Sequence, residues 1–156
     1  MIKVLFVCHG NICRSPMAEF LFKDLVNKNK MSDKFEIASA ATSYEEIGNP
    51  VHYGTKKILN SLGIDCSKKT ARRMTIEDYN HYDYILLMDY NNLSNIKRIV
   101  LDDKFNKISL LLDFTNRENK NIKDPWYTGN FIETYNDVVE GLNCFYNYLI
   151  EQNILY

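Results

Sequence analysis

Val7-Cys8-His9-Gly10-Asn11-Ile12-Cys13-Arg14-Ser15-Pro16 joins an apolar, β-branched run, Ile2 to Val7, to a stretch with helical spacing, Met17 to Val26. That context is strand, tight turn, helix. In such a turn the backbone N–H groups of Gly10 to Arg14 can converge on one anion, reinforced by the positive end of the helix dipole. A cysteine at the strand end and an arginine six positions later then face the same small bowl. The guanidinium can fork two oxygens of a phosphate while a thiolate sits beneath the phosphorus. The residue types therefore point to transfer of a phosphoryl group onto sulfur.

Outward from this stretch, apolar residues continue the same architecture. Phe35-Glu36-Ile37-Ala38-Ser39, Tyr84-Ile85-Leu86-Leu87-Met88 and Ile108-Ser109-Leu110-Leu111-Leu112 read as three further strands. Helical patterns separate them. Ser15 and Pro16 read as N-cap and first residue of the first helix, and Asn49-Pro50 as those of a second that Gly63 stops. Thr75 to Asp78 resembles a capping box, and Asp89 can cap the helix carrying Leu93, Ile96 and Val100. A last helix carries Tyr135, Val138, Val139, Leu142, Tyr146 and Leu149 at core spacing. Strands alternating with helices imply an α/β fold with a parallel sheet and right-handed crossovers. Ligands of such sheets bind beyond the carboxyl ends of the strands, which brings the 8–15, 39–48, 89 and 113–130 segments to one rim.

Composition sets the outer bounds. The 156 residues suit one domain, and 46% apolar with 25% charged residues is ordinary for a globular chain. A net charge of −1 gives no global field for nucleic acid or an anionic membrane. The basic run Lys68-Lys69-Thr70-Ala71-Arg72-Arg73 reads as solvated surface rather than as a binding patch. Cys8, Cys13, Cys66 and Cys144 are too sparse for a disulfide scaffold, and the N-terminal apolar run is too short for a signal peptide. The expected setting is the reducing cytoplasm, with no membrane partner.

Candidate chemistry falls on few residues. Inward N–H groups, Arg14 and the Ser15 hydroxyl all favour the thiolate of Cys8, the expected nucleophile; helix N-termini and cations can bring a thiol to a pKa of roughly 3.5–7.5. Arg14 would hold the three equatorial oxygens of the transition state. Asn11 suits positive φ and would fix the loop's shape. Asp124-Pro125 alone is a common turn. Its place in the long unpatterned interval 113–130, followed by Trp126 and Tyr127, favours a general acid beside aromatic walls for a phenyl ring. Cys13 is either a thiol able to trap an oxidised Cys8 as a disulfide or a small packing residue. Cys8, His9 and Cys13 lack a fourth ligand and Arg14 would repel a cation, so no metal or other cofactor is expected.

Cys8-His9-Gly10-Asn11-Ile12-Cys13-Arg14-Ser15-Pro16, with Ser39-Ala40-Ala41-Thr42-Ser43, Ile47-Gly48-Asn49-Pro50, Ala71-Arg72, Met88-Asp89 and Asp124-Pro125, resembles the low-molecular-weight protein tyrosine phosphatases across essentially the whole chain. The resemblance implies a three-layer sandwich, flavodoxin-like, whose four-stranded parallel sheet of order 2-1-3-4 carries helices on both faces of a single domain, 1–156. It implies catalysis by Cys8, Arg14 and Asp124 through a phosphocysteine. His9, Gly10, Asn11, Ile12, Cys13 and Ser15 would bind phosphate, and Ser39 would support the loop with Asn11 and Ser15. Tyr44, Glu45, Trp126 and Tyr127 would form the substrate rim, and Cys13 the redox partner. The implied partners are phosphotyrosine-containing proteins or peptides, met by a monomer or weak dimer. Where many relatives place a histidine in the support network, this chain offers Lys68 or Lys69. His9 stands at a variable position that is often apolar. Protein arginine phosphatases carry threonine at Ile12, and thiol-dependent arsenate reductases need a further cysteine pair that Cys66 and Cys144 do not resemble. A silent anion-binding module would need neither Cys8 nor Asp124.

Overall fold

The computed structural model describes residues 1–155. Its centre is a four-stranded parallel sheet of order β2-β1-β3-β4, formed by β1 (Ile2–Cys8), β2 (Phe35–Ala41), β3 (Tyr84–Leu87) and β4 (Ile108–Leu110). The order is the expected one. β1 pairs with β2 on one side, Phe6 opposite Ser39 and Cys8 opposite Ala41, and with β3 on the other, Phe6 opposite Leu86. Strand order reverses beside β1, so the loop leaving Cys8 sits at the switch point where such sheets bind ligands.

Alternation along β1 divides the interior into two cores. Val4, Phe6 and Cys8 face the side covered by α1 (Arg14–Lys28) and α6 (Phe131–Glu151), where Phe22 meets Phe6, Phe35 and Phe145. Leu5 and Val7 face the other side, with Met74, Ile96 and Tyr79 of α3 (Ile76–His81). Both faces of the sheet are apolar because both are covered, as parallel sheets require. Gly141 lets α6 approach closely: a Cβ there would lie 2.6 Å from Leu111 Cγ.

Several boundaries differ from the sequence reading, each for a local reason. α1 begins at Arg14, not Pro16, because Cys13 O already accepts the first helical bond from Met17 N–H. Ser15 makes no cap; its hydroxyl turns to Cys8 instead. Asn49-Pro50 does not open α2 (Tyr53–Ser61). His52 caps it through Nδ1, which accepts from Gly54 N–H, while Pro50 bridges Thr70. β4 ends at Leu110, and Leu111–Phe114 turns as a 3-10 segment. The capping box at Thr75 forms as read, and Asp89, read as a cap, opens α4 (Tyr90–Asn95) with a full box completed by Asn92. The basic run is not solvated surface. Lys69 bonds Ser39 O, Arg72 pairs with Asp78, and Arg73 lies 4.1 Å over the Tyr44 ring, leaving Lys68 exposed. Among the described residues no helix is long and apolar enough to cross a membrane.

Candidate active site

Cys8 closes β1, and the chain then folds back so that Asn11 N–H donates to Cys8 Sγ at 3.3 Å. This tight return requires Asn11 at φ +59°, a conformation that asparagine tolerates better than most side chains. Strain of that kind persists only where surroundings hold it, and here Asn11 is held at both ends of its amide. Its Oδ1 accepts from Arg72 N–H at 3.2 Å, and its Nδ2 donates to Ser15 Oγ at 2.8 Å and Ser39 Oγ at 2.9 Å.

The direction of these bonds can be followed from an ion. Ser39 Oγ lies 2.5 Å from Glu19 Oε1 and must donate to it, because a carboxylate only accepts. Ser39 can then only accept from Asn11, whose other amide proton goes to Ser15. The Ser15 oxygen accepts from Asn11, and its hydrogen has two acceptors in reach, Ala40 O at 3.5 Å and Cys8 Sγ at 3.0 Å; towards a Cys8 thiolate, which can only accept, Ser15 is the donor. Glu19 is buried, held by Lys23 at 2.6 Å and approached by Lys69 at 3.9 Å. Lys69 also donates to Ser39 O at 3.0 Å, so of the two candidate lysines it is Lys69 that reaches the support network. Burial pushes its ammonium below the usual lysine range, partly offset by Glu19.

Arg14 reaches into the same bowl from the first turn of α1. Its guanidinium donates to Asp89 at 2.6 Å, to Ile122 O at 2.9 Å and to Asp124 at 3.4 Å. Burial opposes the charge, but Cys8, Asp89 and Asp124 outweigh it and raise the pKa further. Asp124 caps the short α5 (Pro125–Thr128), its Oδ1 accepting from Trp126 N–H at 3.0 Å while Oδ2 faces Arg14. The segment before it is docked by Ile122 N–H on Met88 O, at the end of β3.

Together these groups enclose a pocket of about 110 Å³ lined by Cys8, His9, Gly10, Ile12, Cys13 and Arg14 below and by Glu45, Glu46, Asp124, Trp126 and Tyr127 at the rim. Asn11, Ser15 and Ser39 lie behind it as support. His9 Nε2 meets Glu45 at 2.9 Å across the mouth. Tyr44 stands outside the pocket wall, stacked with Arg73, and Glu46 occupies the wall instead. Trp126 packs edge-on against His52, which stacks on Phe131. Burial first, then Cys8 and Asp124, keep the Cys13 thiol strongly protonated. Among the described residues no His, Cys, Asp and Glu cluster could hold a metal ion.

The roles of four residues escaped the sequence reading. Asp89 reads as a helix cap on the binding rim, and its pairing with Arg14 is not visible there. Glu19 sits between apolar residues in a helix apolar on most sides, and an acid so placed is a signal that it has a buried partner. His52 and Glu46 carried no signal, because their roles depend on how the 42–52 segment folds back over the loop.

Comparison with known proteins agrees with this geometry. The family model for the low molecular weight phosphotyrosine protein phosphatases matches residues 3–153. The low molecular weight protein-tyrosine-phosphatase YfkJ of Bacillus subtilis (strain 168) is 42% identical over 134 residues, 85% of this chain and 86% of that protein. The crystal structure of YfkJ superposes with a TM-score of 0.93 at 37% identity, covering 97% of this chain and 96% of that one. PtpA of Staphylococcus aureus (strain MRSA252), also a low molecular weight protein-tyrosine-phosphatase, is 36% identical over 97% of this chain and 96% of its own. With a thiol, a guanidinium and a carboxylate around one pocket and a match spanning nearly its full length, the chain belongs to the low molecular weight phosphotyrosine protein phosphatase family.

Proposed function

We propose that this enzyme hydrolyses phosphotyrosine in proteins and small aryl phosphates, with Cys8 as nucleophile, Arg14 as phosphate clamp and Asp124 as general acid and base. One observation carries the assignment: Cys8, Arg14 and Asp124 line a single pocket, with the Arg14 guanidinium 3.4 Å from the Asp124 carboxylate. The bound phosphate would lie in the loop's N–H groups and on Arg14. Cys8 Sγ forms the S–P bond as the P–O bond to the phenol breaks, and the proton of Asp124 passes to the departing phenolate oxygen. In the second step a water oxygen forms the new P–O bond as S–P breaks. Its proton returns to Asp124, and the Ser15 hydroxyl stabilises the released thiolate. Arg14 is worth most when the phosphoryl group is flat and its charge spread over three oxygens.

The rim supports an aryl substrate. Trp126 and Tyr127 offer faces for a phenyl ring, and Ile12 keeps the floor beside Cys8 apolar. Cys13 lines the same pocket, which suits a thiol able to capture an oxidised Cys8. Four free cysteines suit a reducing compartment, and the cytoplasm is the setting we infer.

The test is a side-by-side assay on phosphotyrosine, phosphoserine, phosphoarginine and arsenate with wild type and Cys8→Ser. Turnover of phosphotyrosine alone, insensitive to chelators and abolished in Cys8→Ser, is the expected result. Full activity of Cys8→Ser would overturn the mechanism. Preference for phosphoarginine would reassign the substrate, and silence on all four would leave an anion-binding module.

A further inference from the structure

Past Tyr127 the catalytic pocket opens into a second, larger cleft of about 580 Å³ that shares His9, Arg14, Asp124 and Tyr127 with it. That volume lies within the range of roughly 300–1,000 Å³ typical of clefts that hold ligands. Cys8 lines only the smaller pocket, so beyond the shared Arg14 and Asp124 the walls of the cleft have no role in the two steps above. Its far wall is unlike the aromatic side of the rim: Asn91 and Asn95 from α4, Asn121 from the segment before Asp124, and Lys123.

The charges of this cleft are already spent. Asp89 and Asp124 are bound to Arg14, and Lys123 lies 3.5 Å from Glu133. The carboxamides are not. Asn121 Oδ1 accepts from Tyr90 N–H at 2.8 Å, which leaves its NH2 group available. Among the described residues the side chains of Asn91 and Asn95 have no hydrogen-bond partner. Residues four apart share a helix face, and the rise between Asn91 and Asn95 is about 6 Å. Main-chain groups on one side of an extended peptide recur every second residue, about 6.6 Å apart. An amide ladder of that spacing, with no net charge around it, matches polypeptide backbone rather than a particular side chain.

We propose that this cleft binds the extended main chain on one flank of the substrate's phosphotyrosine, its N–H and C=O groups paired by Asn91, Asn95 and Asn121. The proposal rests on the phosphatase reading above and adds where the rest of the substrate lies. Recognition of this kind tolerates varied flanking sequence, because every residue offers the same backbone groups.

Four substrates test it: p-nitrophenyl phosphate, blocked phosphotyrosine, and alanine-rich phosphotyrosine peptides extended on only the N-terminal or only the C-terminal flank. Wild type is expected to show kcat/KM about tenfold higher for one of the two peptides than for blocked phosphotyrosine, the scale of two net hydrogen bonds. Asn91→Ala/Asn95→Ala should remove most of that gain and leave p-nitrophenyl phosphate turnover unchanged. Alanine is the stronger helix former, so the variant should fold. Equal kcat/KM on all phosphotyrosine substrates, or an equal loss on every substrate in the variant, would overturn the cleft assignment while the phosphatase reading stands. Absence of p-nitrophenyl phosphate turnover in wild type would overturn both.

Discussion

Behind the loop that leaves β1, Asn11, Ser15 and Ser39 are at most 1% exposed, whereas Trp126 and Tyr127 in the acid segment are 57% and 84% exposed. The first region is held by hydrogen bonds that run unbroken from Cys8 to Glu19 and Lys69. The second is a helix of only four residues with a self-made cap, anchored by a 3.4 Å contact with Arg14, by the edge of His52 against Trp126 and by Ile122 on the end of β3. Buried polar groups that are fully satisfied specify one geometry, and partly satisfied ones are costly. The phosphate cradle is therefore pre-organised, as transition-state stabilisation requires. The proton donor and the aromatic wall sit where a bulky protein substrate can enter. Arg14 is the one group that belongs to both.

That shared position makes Arg14→Lys the most damaging test of the comparison. Loss of the fork should lower kcat by about 10³-fold, the upper range for removing a single transition-state donor, in a burst-free steady-state assay on p-nitrophenyl phosphate. Asp124→Asn acts on the exposed side alone. Turnover should fall about 10²-fold on phenyl phosphate and less on p-nitrophenyl phosphate, whose leaving group needs the proton least; equal losses on the two would remove Asp124 from the role of acid.

Lys69→Met probes the buried side from its far end. With a misplaced cradle, kcat should drop about tenfold with KM nearly unchanged. Stability adds a second readout. The folded-state pKa of Lys69 is depressed, so the cost of burying its charge is fully present below that value and is relieved as pH rises towards the unfolded value of 10.5. In thermal melts the wild type should gain on the variant as pH rises through this alkaline window. The smallest effect belongs to the rim: Trp126→Ala should raise KM for aryl phosphates about three- to tenfold, the worth of one aromatic contact, with kcat preserved.

The same contrast decides what could be read from sequence. Val4 to Cys8, Asn11, Arg14 and Ser15 are contiguous, and their spacing alone implies strand, anion-binding turn and helix. The helix caps at Thr75 and Asp89 followed from local patterns of the same kind, and the strand order from the family resemblance that this stretch carries. Asp124 could be picked out only because its neighbours are aromatic and its interval lacks periodicity. The contacts of Glu19 with Ser39, of Asp89 with Arg14 and of His52 with Trp126 join separated elements and leave no period behind, and Lys69 could be named only as one of two lysines. Ser15 shows the converse failure. Its sequence context is that of a helix cap, but the helix already begins at Arg14, which places Ser15 inside the first turn with its hydroxyl beside Cys8.

Ser39 owes its place opposite Phe6 to the pairing of β2 with β1. Side chains alternate faces along a strand, so a slip of one residue in that pairing would turn Ser39 away and put an alanine in its place. Asn11 would lose its partner, and with it the orientation that aims Ser15 at the sulfur. Turnover thus acts as a gauge of sheet alignment. During refolding, activity should return only after β2 has locked into register, later than helical signal and compaction, and any trapped misaligned species should be well folded by spectroscopy yet inert towards phosphate esters.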